Sequence, residues 1–85
     1  MLSYSFHPAA EKELVRLPVK IQRQVINGIN YLCQFSHPLQ CRKVIKIQGK
    51  ENDFFRMRIG NYRVKFLLEN SIIKITHVQH RQAGY

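Results

Sequence analysis

Acidic side chains are what this chain has least of: five Asp and Glu stand against fourteen Lys and Arg, a formal charge of +9 over 85 residues. The shortage is uneven. Residues 1 to 41 hold four basic and two acidic side chains, whereas residues 42 to 85 hold ten and three. A concentrated excess of positive charge favours nucleic acid or an acidic protein as partner over an acidic metabolite.

Cysteine is scarcer still. Cys33 and Cys41 are the only two, and neither sits in a CxxC or Cys/His pattern with metal-ligand spacing, so two reduced thiols are expected. The opening MLSYSFHPAAEKEL has no basic n-region, apolar h-region or cleavage site, and a cytoplasmic protein is expected. The basic residues do not flank an amphipathic or membrane-spanning segment but alternate along strand-like runs, which argues against a membrane partner. A carboxylate pair, an HExxH helix and a glycine-rich phosphate loop are all missing, and the reaction classes they serve go with them; no metal or cofactor is expected. With no repeats, linkers or low-complexity stretches, 45% hydrophobic residues and no room for a second core, residues 1–85 read as one folded domain.

What is present has the periodicity of an α+β domain. Leu2, Tyr4 and Phe6 alternate with Ser3 and Ser5, a short strand stopped by His7-Pro8. From Pro8 to Leu17, PAAEKELVRL has proline at the first helical position, acidic residues in its first turn, and Leu14 and Leu17 on one side. That predicts a short helix ended by Pro18. Ile21, Val25, Ile29, Leu32 and Phe35 then recur at helical spacing, predicting a longer helix from about Val19 to Phe35. His37-Pro38 marks a loop and Lys43 to Ile47 a strand. SIIKITHVQ is a last strand, joined to its predecessor by a turn at Glu69-Asn70. The order is β-α-α-β-β-β-β, an antiparallel-rich sheet with the helical hairpin packed on its apolar face.

The strongest local signal is Gly60-Asn61 between two alternating runs. As a two-residue hairpin loop it sets Ile59 opposite Tyr62, Arg58 opposite Arg63, Met57 opposite Val64, Arg56 opposite Lys65 and Phe55 opposite Phe66. One face is then apolar and the other carries Arg56, Arg58, Arg63 and Lys65. Like charges facing one another destabilise a sheet, so the block predicts an anionic ligand, and the planar fork of arginine suits phosphate. Pairing Leu68 with Ser71 carries both faces into the last strand, with Lys65 against Lys74 and Arg63 against Thr76. Lys43 and Lys46 complete the basic set expected to hold RNA. In this register His80 continues the cationic face, while His77 ends the apolar one near Tyr62.

Three stretches resemble the RelE/ParE superfamily of toxin-antitoxin toxins, and within it the RelE-like ribosome-dependent mRNA interferases. YSFHPAAEKELVRLPVKIQRQVINGI is similar to that family's helical hairpin with its LP break, FFRMRIGNYRVKF to its central strands of the form YRLRVGDYRVIY, and HRQAGY to its closing HRRDVY. The closing His-Arg-x-x-x-Tyr favours the RNases over ParE-like gyrase poisons.

The resemblance implies that Arg63 contacts the scissile phosphate and that Arg56 and Arg58 occupy the basic positions of the preceding strand. It also implies that Arg81 is the arginine near the carboxy terminus, and that Tyr85 stacks on or activates the substrate nucleotide. Some members have lysines where Arg56 and Arg58 stand. An arginine stays protonated and stabilises charge rather than accepting a proton, which leaves Tyr85 and His80 for proton transfer. A small antitoxin with an acidic segment, and mRNA in the ribosomal A site, are the implied partners. A ParE-like inhibitor of DNA gyrase and a non-catalytic RNA-binding module are the alternatives from other classes.

Overall fold

The structure, a computed structural model, describes residues 1–47 and 54–82. β1 (Ser3–Phe6) leads through α1 (Pro8–Val15) and α2 (Val19–Leu32) to a 3₁₀ turn at Pro38–Gln40, then β2 (Val44–Lys46), β3 (Phe54–Ile59), β4 (Tyr62–Glu69) and β5 (Ile72–His80). The strands form one sheet in the order β1-β5-β4-β3-β2, with β1 parallel to β5 and every other pair antiparallel. This is the α+β architecture the periodicity predicts.

The two His-Pro pairs do the same work. Each proline takes the first helical position, and each histidine accepts at Nδ1 from the backbone N–H two residues on, Ala9 and Leu39, both at 3.1 Å. Both long helices stop short of the residues their spacing suggests, α1 at Val15 and α2 at Leu32. Past Leu32 the bonds tighten to three-residue steps, Gln34 N–H to Tyr31 O and Phe35 N–H to Leu32 O, so Phe35 still packs on the core although the helix has ended.

The core lies between the helices and one face of the sheet. Phe55 and Phe66 stack at 5.5 Å and 20°, and around them Val25, Ile29 and Leu32 of α2 meet Ala10 and Leu14 of α1 and Ile73, Ile75 and Val78 of β5. Each large side chain buried there contributes roughly 1.5–3 kcal/mol. Cys33 and Cys41 are buried free thiols, and burial raises the Cys33 pKa above its ordinary value.

The β3–β4 hairpin has the predicted register at every pair from Phe55–Phe66 to Ile59–Tyr62. Gly60 at φ +57° gives its turn the type II′ form. The β4–β5 hairpin differs from expectation in two ways. Its loop is Asn70-Ser71, with φ of 51° and 66°, a type I′ turn one residue later than predicted; Glu69 therefore pairs with Ile72, and Lys74 faces Leu67 instead of Lys65. A β-bulge then interrupts the ladder between Lys65 and Phe66. Thr76 has no opposite residue, and its hydroxyl donates to the Lys65 carbonyl at 3.2 Å.

Beyond the bulge His77 faces Lys65, Val78 faces Val64, Gln79 faces Arg63 and His80 faces Tyr62. The extra residue lets β5 bury Val78 against Val64 and leaves His77 exposed, where an uninterrupted ladder would bury the imidazole and expose the valine. The two histidines consequently exchange faces relative to the sequence reading. Glu13 of α1 completes this end of β5, accepting from Val78 N–H at 2.9 Å where β1 has already ended.

Candidate nucleic-acid interface

Two rows of side chains cross the face of the sheet that the helices leave open. Arg56, Lys65 and His77 stand side by side on β3, β4 and β5, and Arg58, Arg63 and Gln79 form the next row. Directly opposed residues bring their Cβ atoms within about 5.5 Å, so these guanidinium and ammonium groups are near neighbours. Ile45 of β2 flanks Arg56, and the Lys43 carbonyl accepts from Arg58 N–H at 3.2 Å. Arg81 arrives from the far end of β5: its N–H donates to the Asn61 carbonyl at 2.8 Å, which ties it against the β3–β4 turn.

These elements enclose a cleft of about 470 Å³ in which Arg42, Lys43, Arg56, Arg58 and Arg63 supply the charge and Ile45 and Gly60 the rest of the lining. A recess of about 60 Å³ adjoins it between Arg58, Tyr62, Arg63 and Arg81. Arg63 lines both. Its pKa is lowered from the ordinary arginine value, first by loss of hydration and then by the charges of Arg56, Arg58 and Arg81. From Phe54 to Leu68 the sequence contains no acidic residue, so the hairpin gathers repulsion among its own cations. A phosphate between Arg58, Arg63 and Arg81 would offset it, and bidentate contacts would orient it.

Of the predicted basic residues, Arg56, Arg58, Arg63, Lys65, Lys43 and Arg81 come together. Lys46 does not: it pairs with Phe55 and so shares the register of the core face, opposite to the arginines. Lys74 does not either. It lies beside Leu67, four residues along β4 from Arg63 or about 13 Å at strand rise, and its ammonium binds Glu69 at 2.7 Å. His80 shares the side of Tyr62, with the rings 5.2 Å apart at 85°, and its Nδ1 accepts from Gln82 N–H at 3.2 Å. Tyr85 lies outside the described residues. Sequence reasoning passed over two groups that the fold adds: Arg42, which precedes β2, and His77, which the bulge turns onto the cationic face. No cluster of His, Cys, Asp or Glu able to hold a metal ion occurs among the described residues, and no helix among them is long and apolar enough to cross a membrane.

A five-stranded sheet with a helical hairpin on one face and arginines across the other defines a small basic toxin of the RelE/ParE superfamily. The chain belongs to the ParE toxin family of type II toxin-antitoxin systems, whose family model matches residues 4–85. Similar solved structures include a chain of the archaeal RelE–RelB complex from Pyrococcus horikoshii, at 27% identity and TM-score 0.77, covering 98% of this chain and 98% of that one. The RelB–RelE antitoxin–toxin complex from Methanococcus jannaschii is similar at 24% identity and TM-score 0.73, covering 98% and 93%. The YoeB dimer from Staphylococcus aureus, at 15% identity and TM-score 0.73 over 93% and 95%, shares the fold. No curated protein matches the sequence.

Proposed function

We propose that this toxin is a RelE-like endoribonuclease that cleaves mRNA in the ribosomal A site, and that a small antitoxin with an acidic segment restrains it. The observation that carries the reading is the convergence of Arg58, Arg63 and Arg81 on one recess at the end of a wider cationic cleft. Cleavage by the neighbouring 2′-OH forms a new bond from that oxygen to phosphorus and breaks the bond to the leaving 5′-oxygen. The 2′-OH loses a proton, the 5′-oxygen gains one, and the phosphorus passes through a pentacoordinate state with added negative charge. Arginines aimed at that charge need no proton movement of their own, and loss of one such donor costs on the order of 100-fold in rate.

The position of His77 beside Lys65 supports giving it one of the two proton transfers, in place of His80 on the opposite face. Tyr85 keeps the other role, as the remaining candidate for proton transfer in the sequence. Partnership of RelE with RelB in the archaeal complexes supports the antitoxin.

A second reading has one observation in its favour: the matching family is that of ParE toxins, which points to inhibition of DNA gyrase without cleavage. Two assays on the purified toxin separate them. Primer extension on translated mRNA is expected to show cuts that vanish in Arg63→Ala, while gyrase supercoils DNA undisturbed. Gyrase inhibition with intact mRNA would overturn the nuclease.

A further inference from the structure

The cationic cleft does not end on the sheet. Arg42 and Lys43 also line an opening of about 420 Å³ between the start of β2 and the end of α2, walled by Tyr31, Phe35 and Gln40. A third opening, of about 320 Å³, runs from Lys43 and Gly60 along the flank of α2 past Gln24, Asn27 and Tyr31. Lys43 borders all three spaces and Tyr31 borders the last two.

Gln24, Asn27 and Tyr31 recur at three- and four-residue steps, so they form one stripe of α2, beside the buried stripe of Val25, Ile29 and Leu32. Tyr31 is 51% exposed, and Phe35 props its ring edge-on at 5.3 Å and 87°. A core tyrosine would be covered. This one presents a ring braced by Phe35, sharing its opening with Arg42 and Lys43, at the margin of the basic cleft. Sites for unpaired nucleic acid combine these same parts: a basic track for the backbone and aromatic rings for the bases.

We infer that Tyr31, flanked by Arg42 and Lys43, is a stacking platform for an unpaired base of the same single-stranded RNA whose phosphates cross the arginine cleft. The inference rests on the RNA reading of that cleft. The amides of Asn27 and Gln24, one and two turns back along α2, offer both donors and acceptors to a base edge. Met57, Ile59 and Phe35 add apolar lining to these openings, but the exposed stripe of α2 offers two amides and one ring beside two cations, which favours RNA over a docking helix that would need a row of apolar anchors.

The test uses short single-stranded RNAs with 2-aminopurine placed at successive positions, because stacking quenches its emission. Wild type and Tyr31→Phe should quench the probe at one position. Tyr31→Ala should abolish that quench, weaken binding about 10-fold, and leave the salt dependence unchanged, since no cation is lost, while the melting temperature falls no further than loss of the edge contact with Phe35 requires. Arg42→Ala with Lys43→Ala should instead flatten the salt dependence. If Tyr31→Ala binds and quenches as wild type does while Arg63→Ala loses RNA, the platform is wrong and the RNA reading survives. If wild type binds none of the RNAs, both fall together. A Tyr31→Ala toxin that binds RNA normally but no longer retains its co-expressed antitoxin would make the groove a protein interface.

Discussion

Arg58 and Arg63 face one another across the β3–β4 ladder, and the charge of Arg58 helps to lower the Arg63 pKa. Removing the more exposed partner separates stability from activity. Arg58→Ala is expected to leave the denaturation midpoint unchanged or raise stability by a few tenths of a kcal/mol, and to cut cleavage of ribosome-bound mRNA on the order of 100-fold. The histidines give a sharper contrast. His77→Ala should lower single-turnover cleavage on the order of 100-fold without moving the melting temperature, since the side chain is exposed. His80→Ala should do the reverse, costing about 1 kcal/mol through its ring contact with Tyr62 and its bond to Gln82, with cleavage retained. The opposite pattern in the two variants would return the proton-transfer role to His80. Strict alternation assigned these two residues to the wrong faces because it has no place for an extra residue. One trace of the bulge was in the sequence, however: Ile73, Ile75 and Val78 step by two and then by three, a break in parity that only an inserted residue reconciles with a single buried face.

Elements were legible to the extent that their signals are local. The Gly60-Asn61 turn has a glycine where φ must be positive, and its hairpin register followed from two residues. The next turn has no glycine, so neighbouring placements fit the pattern equally well, and the chain settles on Asn70-Ser71 with a serine at φ 66°. A left-handed serine is strained by roughly 1 kcal/mol, and Ser71→Gly is expected to recover about that much, read as a higher urea midpoint at unchanged slope.

Gly28 carries a different constraint. A Cβ there would lie 2.6 Å from Ile59 Cδ1 and 3.0 Å from its Cγ1, so the glycine is what lets α2 approach the end of β3. Gly28→Ala should lower stability by about 1 kcal/mol net of its gain in helix propensity, and Ile59→Val, which deletes the nearer atom, should cost less in that background than alone. Additive costs in the double-mutant cycle would mean that this contact does not set the helix position.

At the scale of the whole molecule the charge asymmetry read from composition reappears as one face of one sheet, so binding should be governed by salt. With about four phosphates neutralised, the affinity for single-stranded RNA should fall with a log–log slope of roughly −3, measured by titration at several salt concentrations; a flat response would refute phosphate contact through this face. Composition and alternation sufficed for that face because its residues are neighbours in sequence. They were silent on which strand lies beside β1, since that pairing joins segments some seventy residues apart and leaves no local mark. The same pairing orders events in time. β1 precedes the partner that holds it, Ile72 to Ile75, by some seventy residues, so that edge of the sheet closes only after the whole stretch between them has been made. The arginine hairpin closes locally and earlier, but without β5 it lacks Gln79, Arg81 and His77. The basic face is therefore assembled in two stages, the hairpin first and the residues of β5 after it.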